Sequence, residues 1–207
     1  MDSTPAGAVD HGRVAGFGLC GAAATTVLAM SHHPTGLHGI SGDGDVVHGT
    51  MIALLAVTAV GLFYFAQRRG PDKLWILAGM VAYAISLGAH IGAGTLNGFV
   101  APALAARGSG TVGHDAFLLV WETNQSLARI GVYATGAAFT MWSFDFLRRA
   151  GTMNRLTGVV GLLCGLLPAL LLFTGAVNMN VRGAFAIYAV HAAWVALVGV
   201  QFIRRAI

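Results

Sequence analysis

Charge is scarce in this chain: of 207 residues, only 10% are Asp, Glu, Lys or Arg, while 56% are hydrophobic. An ordinary soluble domain carries roughly 25% charged and 45–50% apolar residues, so this composition does not supply a water-facing surface. Cysteine is nearly missing as well. Cys20 and Cys164 both fall inside apolar runs, and their spacing matches no metal or redox motif, which leaves them as small packing residues. There is no GxSxG, GxxxxGK[ST], HExxH or CxxC, so neither a serine hydrolase nor a nucleotide-driven pump is suggested. The histidine ladders of membrane desaturases and hydroxylases, HxxxH and HxxHH, are also missing.

What the chain does have is length in its apolar runs. Several reach the ~20 residues that carry a helix across a ~30 Å hydrocarbon core. Six spans follow, near 13–31, 47–67, 74–94, 116–146, 155–177 and 183–203. The fold class expected is therefore an all-α integral membrane protein, its six transmembrane helices arranged as three out-and-back hairpins. Residues 1–207 form one domain, with a histidine-rich outer loop at 31–46 between the first two helices. The fourth run exceeds a simple crossing, so its first turns stand above the membrane or lie along it.

The net charge of +4 is a topology signal. Arg68-Arg69, Arg148-Arg149 and Arg204-Arg205 close apolar runs, and Arg13, Lys73 and Arg155 open them. With alternating spans these all fall on one side, which the positive-inside rule makes cytoplasmic. Both termini are then inside, in a bacterial-type inner membrane, and no nucleic-acid partner is implied. The N-terminal MDSTPAGAVDHGR lacks a basic n-region, so the first helix is expected to be retained rather than cleaved. Trp75 and Tyr64 near the inner face and Trp121 near the outer fit interfacial anchoring. Glycine pairs four apart, such as Gly12 and Gly16 or Gly161 and Gly165, let helix backbones approach closely. Pro168, inside the fifth run, is expected to kink it.

Imidazole is concentrated. The stretch MSHHPTGLHGISGDGDVVHG, from Met30 to Gly49, holds His32, His33, His38 and His48. Counting back from the inner arginines at 1.5 Å per residue puts His48 about 30 Å up, Arg129 about 28 Å, His90 about 25 Å and His191 about 20 Å. Polar groups thus gather in the outer half. Tyr83, Ser86, His90 and Asn97 share one face of the third helix, Glu122, Gln125, Ser126, Arg129 and Tyr133 one face of the fourth, and Tyr188 pairs with His191 on the sixth. Because a charge facing lipid costs several kcal/mol, these stripes are expected to turn inward and form an outward-opening pocket with a sealed floor.

The chemistry this permits falls into a few classes. His32, His33, His38 and His48 are candidate ligands for a transition metal, with Asp43 and Asp45 offering oxygen and Met30 a soft thioether; copper, iron, nickel and zinc are all suited to imidazole. His90 and His191 are candidate axial ligands of a haem b, with Arg129 placed to meet a propionate. A metal- or haem-dependent membrane oxidoreductase would draw on both sets, exchanging electrons or a small molecule on the outer side. The rivals are a metal-free transporter or receptor using Asn97, Glu122, Gln125, Ser126, Arg129 and Tyr133, and a structural subunit, or homo-oligomer, packed through glycine-rich faces.

Overall fold

The computed structural model describes residues 9–33, 44–107 and 113–205. His38 and most of the loop at 31–46 lie outside them. Among the described residues the chain is helical with no strand: α1 (His11–Ser31), α2 (Gly44–Arg69), α3 (Leu74–Ala106), α4 (His114–Leu147), α5 (Thr152–Phe173) and α6 (Val181–Ile203). Within α3, regular turns at Leu74–Thr95 and Ala101–Ala106 flank a π-helical segment, Leu96–Val100. All helices but α4 are long and apolar enough to cross a membrane. A helix closes all its backbone hydrogen bonds internally, which is why an apolar chain in lipid adopts it. The large apolar side chains left exposed, among them Phe17, Val60, Leu77, Leu163 and Phe173, are consistent with contact with a bilayer.

Each helix packs against its neighbours in sequence, and α1 closes on α6, so the six form a ring. Small residues set the closest approaches. A Cβ on Gly16 would lie 2.7 Å from the Gly199 carbonyl oxygen across the α1–α6 seam, and one on Gly136 would lie 2.5 Å from that of Gly165 across α4–α5. Gly88 and Gly92, also four apart on α3, do not serve this purpose, since Gly88 faces open space. Pro168 is buried within α5, which continues through it.

The end of the ring that carries the arginine pairs is filled by aromatic rings. Phe65, Phe139, Trp142, Phe146 and Trp194 are all essentially inaccessible. Phe65 stacks on Phe146 at 5.2 Å, and Trp142 on Trp194 at 6.2 Å. Their indole N–H groups are satisfied, Trp142 by the Ile76 carbonyl at 3.2 Å and Trp194 by the Thr157 carbonyl at 3.0 Å. Buried Asp145 then gathers Arg69 and Lys73 at 3.5 Å and Arg149 at 3.1 Å, locking α2, α3 and α4 together. Asp10 caps α1 through the Arg13 N–H and pairs with Arg205 at 3.0 Å, tying the start of α1 to the end of α6. That backbone hydrogen bond, with the Arg205 guanidinium adding to it, holds the Asp10 carboxyl below its ordinary value.

Candidate histidine cavity

Above the aromatic plug the ring is open inside. A cavity of about 280 Å³ is lined by residues from α1, α2, α3, α4 and α6 together with His33 and the segment preceding α6. His33, His48, His90 and His191 all reach it, along with Met30, Met51 and Met179. Tyr83 and Phe139 of the aromatic plug contribute to its walls, so the cavity stops where the packed half begins.

At one end His33 Nε2 lies 3.3 Å from His48 Nε2. The His48 tautomer follows from its surroundings. Its Nδ1 is 2.6 Å from the Gly44 carbonyl oxygen, which only accepts, so the proton sits on Nδ1 and Nε2 presents a lone pair. Asn97 Nδ2 donates to that lone pair at 3.0 Å. Asn97 belongs to the π-helical segment, and so does Gly98, against which His48 is seated: a Cβ there would lie 2.5 Å from that of His48. Single π turns inside α-helices occur often at functional sites. Here the widened turn brings both an amide and a flat glycine surface to the same imidazole.

The second pair lies among buried side chains. His90 is 8% and His191 7% exposed. Ser86 Oγ donates to the Gly131 carbonyl at 2.9 Å, so it must accept from His90 Nδ1 at 3.1 Å. His90 Nε2 is thereby left as a lone pair, and among the described residues neither it nor His191 Nε2 has a hydrogen-bond partner. Tyr188 meets the His90 ring edge-on at 5.4 Å, and Phe139 meets that of His191 at 5.3 Å. Gly131 of α4 makes the room, since a Cβ there would lie 2.6 Å from His90 Nε2. A buried polar atom without a partner is costly, and in native proteins it calls for an explanation.

The structure sorts the residues singled out in the sequence. The α3 stripe of Tyr83, Ser86, His90 and Asn97 lines the cavity, as do Tyr188 and His191 of α6. Of the loop histidines, His33 joins His48, whereas exposed His32 turns back to the Leu28 carbonyl at 2.9 Å and to Ser31. Among the described residues no three of His, Cys, Asp and Glu are grouped so as to hold a metal ion. On α4 only Gln125 of the expected stripe reaches the cavity. Glu122, Ser126, Arg129 and Tyr133 are exposed on its outward side, so Arg129 is not placed to meet a propionate inside. The inward-facing rule misses Glu122, Ser126 and Arg129 because they lie at or near the estimated outer boundary, where long polar side chains reach the interface without entering the bundle.

Asn124 takes the place of that stripe, lining the cavity and donating to the Ala93 carbonyl at 2.7 Å. The run of small residues in phase with it, Ala128, Gly131 and Thr135, all buried, is the signal that marks the true inner face of α4. The chain matches no family model, no curated protein and no solved structure.

Proposed function

We propose that this chain is a membrane metal-handling or redox protein whose histidine cavity holds a transition metal. The observation that supports this most is the convergence of His33, His48, His90 and His191 on one buried space, with the lone pairs of His48 and His90 fixed by hydrogen bonds from their Nδ1. Histidine ligands characteristically donate their second nitrogen to a carbonyl or similar acceptor, which fixes ring and tautomer. The arginine-bearing end faces the cytoplasm in this reading, and the cavity opens to the other side of a bacterial-type inner membrane. Haem b is the second reading, favoured by the unpartnered Nε2 atoms of His90 and His191 on different helices.

Elemental analysis and a haem assay on tag-free protein in mild detergent test both. Near-stoichiometric copper, iron or zinc is expected, and it should be lost from a His48→Ala, His90→Ala, His191→Ala variant that still elutes as wild type. Folded, never-chelated protein holding neither metal nor haem would defeat the proposal. Asn97, Asn124 and Gln125 would then become the recognition groups of a polar-ligand transporter or receptor. A milder variant, Gly98→Ala, places a methyl where the His48 Cβ now packs. It should weaken metal retention by about 10-fold or more, as shifting an outer-shell support does, and equilibrium dialysis reads it directly.

A further inference from the structure

The residues that line the cavity restrict the class of ion it can take. Among the described residues the candidate ligand atoms in the lining are imidazole nitrogens, Met thioethers and a few neutral polar groups, with no Asp, Glu or Cys. Hard ions such as magnesium, calcium and manganese want carboxylate or water oxygens, and thiolate-rich zinc and iron–sulfur sites want cysteine. His33 and His48 meet as a pair of imidazoles, and a filled-shell monovalent ion is content with two or three ligands.

We infer that the cavity is a site for soft monovalent copper, with one station at His33 and His48, a second at His90 and His191, and Met30, Met51 and Met179 as thioether ligands within reach of the same space. The inference rests on the metal reading above and names its ion. Two imidazole nitrogens at about 2.0–2.1 Å from one ion, at near-tetrahedral angles, stand about 3.3–3.4 Å apart; His33 and His48 Nε2 are 3.3 Å apart. Without an ion, the His48 lone pair accepts from Asn97 Nδ2 at 3.0 Å, a hydrogen bond that an ion would displace. At His90 no such substitute exists, and a cation there would engage the lone pair that is unpartnered. Thioether sulfur is the donor that separates copper(I) from zinc and iron(II), because it binds soft ions well and the others weakly. Met30 and Met179 are buried, and Met51 packs against them. Binding alone is proposed, with no change of oxidation state.

The test is an anaerobic titration of the purified full chain in detergent with copper(I), under reductant and against a bathocuproine disulfonate competitor. Parallel titrations use zinc(II) and iron(II). The expected result is copper(I) retained at about two ions per chain through gel filtration, with both nitrogen and sulfur neighbours in X-ray absorption, and zinc and iron washed away. His48→Ala should keep the inner ion, and His90→Ala with His191→Ala should keep the outer one. Met51→Leu with Met179→Leu should erase the sulfur signal in protein that is otherwise folded. Zinc or iron retained as well as copper would overturn the choice of ion and leave the metal reading standing. Haem alone would overturn the choice of ion and replace the metal reading with the haem reading. Protein that is folded and binds none of these would overturn both together.

Discussion

Asp145→Ala should cost about 3–5 kcal/mol of stability, the range found when one partner of a buried ion pair is removed. The Arg69 side chain is 2% exposed and that of Asp145 5%. The Arg69 guanidinium lies over Phe65 at 5.5 Å and Phe146 at 4.6 Å, rings that partly compensate a cation but cannot neutralise it. Without the carboxylate, Arg69, Lys73 and Arg149 converge with no anion among them, where helices α2, α3 and α4 meet. The contrast with Arg149→Ala makes the point testable. That side chain is 42% exposed, so its removal should cost at most about 1 kcal/mol. Unfolding midpoints in detergent, by heat or by sodium dodecyl sulfate titration, read both. Equal midpoints for the two variants would mean that water reaches Arg69 and that the cluster is not buried in solution. Replacing both partners, Arg69→Met with Asp145→Leu, should recover much of the loss, because desolvation then disappears along with the attraction.

The second large effect concerns ligand binding and involves no ligand atom. Ser86→Ala should lower metal affinity by about 10- to 100-fold, the usual consequence of removing a hydrogen bond that orients a ligating histidine. Ser86 is 1% exposed and links the Gly131 carbonyl, Thr135 Oγ1 and His90 Nδ1 in one network. Losing its oxygen frees the His90 ring to rotate and lets the proton move to Nε2, which blocks the lone pair. Gly131→Ala attacks the same ring from the other side. Its methyl would stand 2.6 Å from Nε2, so the ring must move; overpacking of this kind costs about 1–3 kcal/mol. Both variants should retain helicity and elution volume while competitor titrations show the affinity loss. Ser86→Thr, which keeps the hydroxyl, should retain more affinity than Ser86→Ala. If Ser86→Ala binds like wild type, His90 is a packing residue and the inner ligand set is wrong.

Hydropathy was sufficient for the helices. Runs of apolar residues with arginines at one end admit few structures in lipid, and the six segments read from the sequence overlap the six helices, except that α3 runs on from residue 94 to Ala106 and α4 is not among the helices apolar enough to cross. The same pattern placed the polar groups in one half of the chain's length along the bundle, and the other half is indeed closed by Phe65, Trp142, Phe146 and Trp194. Helical phase on α3 was also legible, because Ser86 and His90 sit among apolar residues and have nowhere to go but inward. On α4 phase misled. Glu122, Gln125, Ser126, Arg129 and Tyr133 form a regular stripe, yet regularity says only that residues share a face, not which face is inside. The small residues Ala128 and Gly131 carried that information, since packing against α3 requires close approach.

What the sequence by itself determined is a bundle of apolar helices with imidazole gathered toward one end. It did so through free energies that depend on one residue at a time, such as hydrophobic transfer and charge placement. Which histidines meet was decided by the tertiary structure alone. His33 and His48 are brought together by the packing of α1 against α2 and by the seat at Gly98, while His90 reaches the cavity through the gap at Gly131. Those contacts join residues far apart in the chain. Their geometry depends on helix rotation and neighbour order, which only the closing of α1 onto α6 fixes.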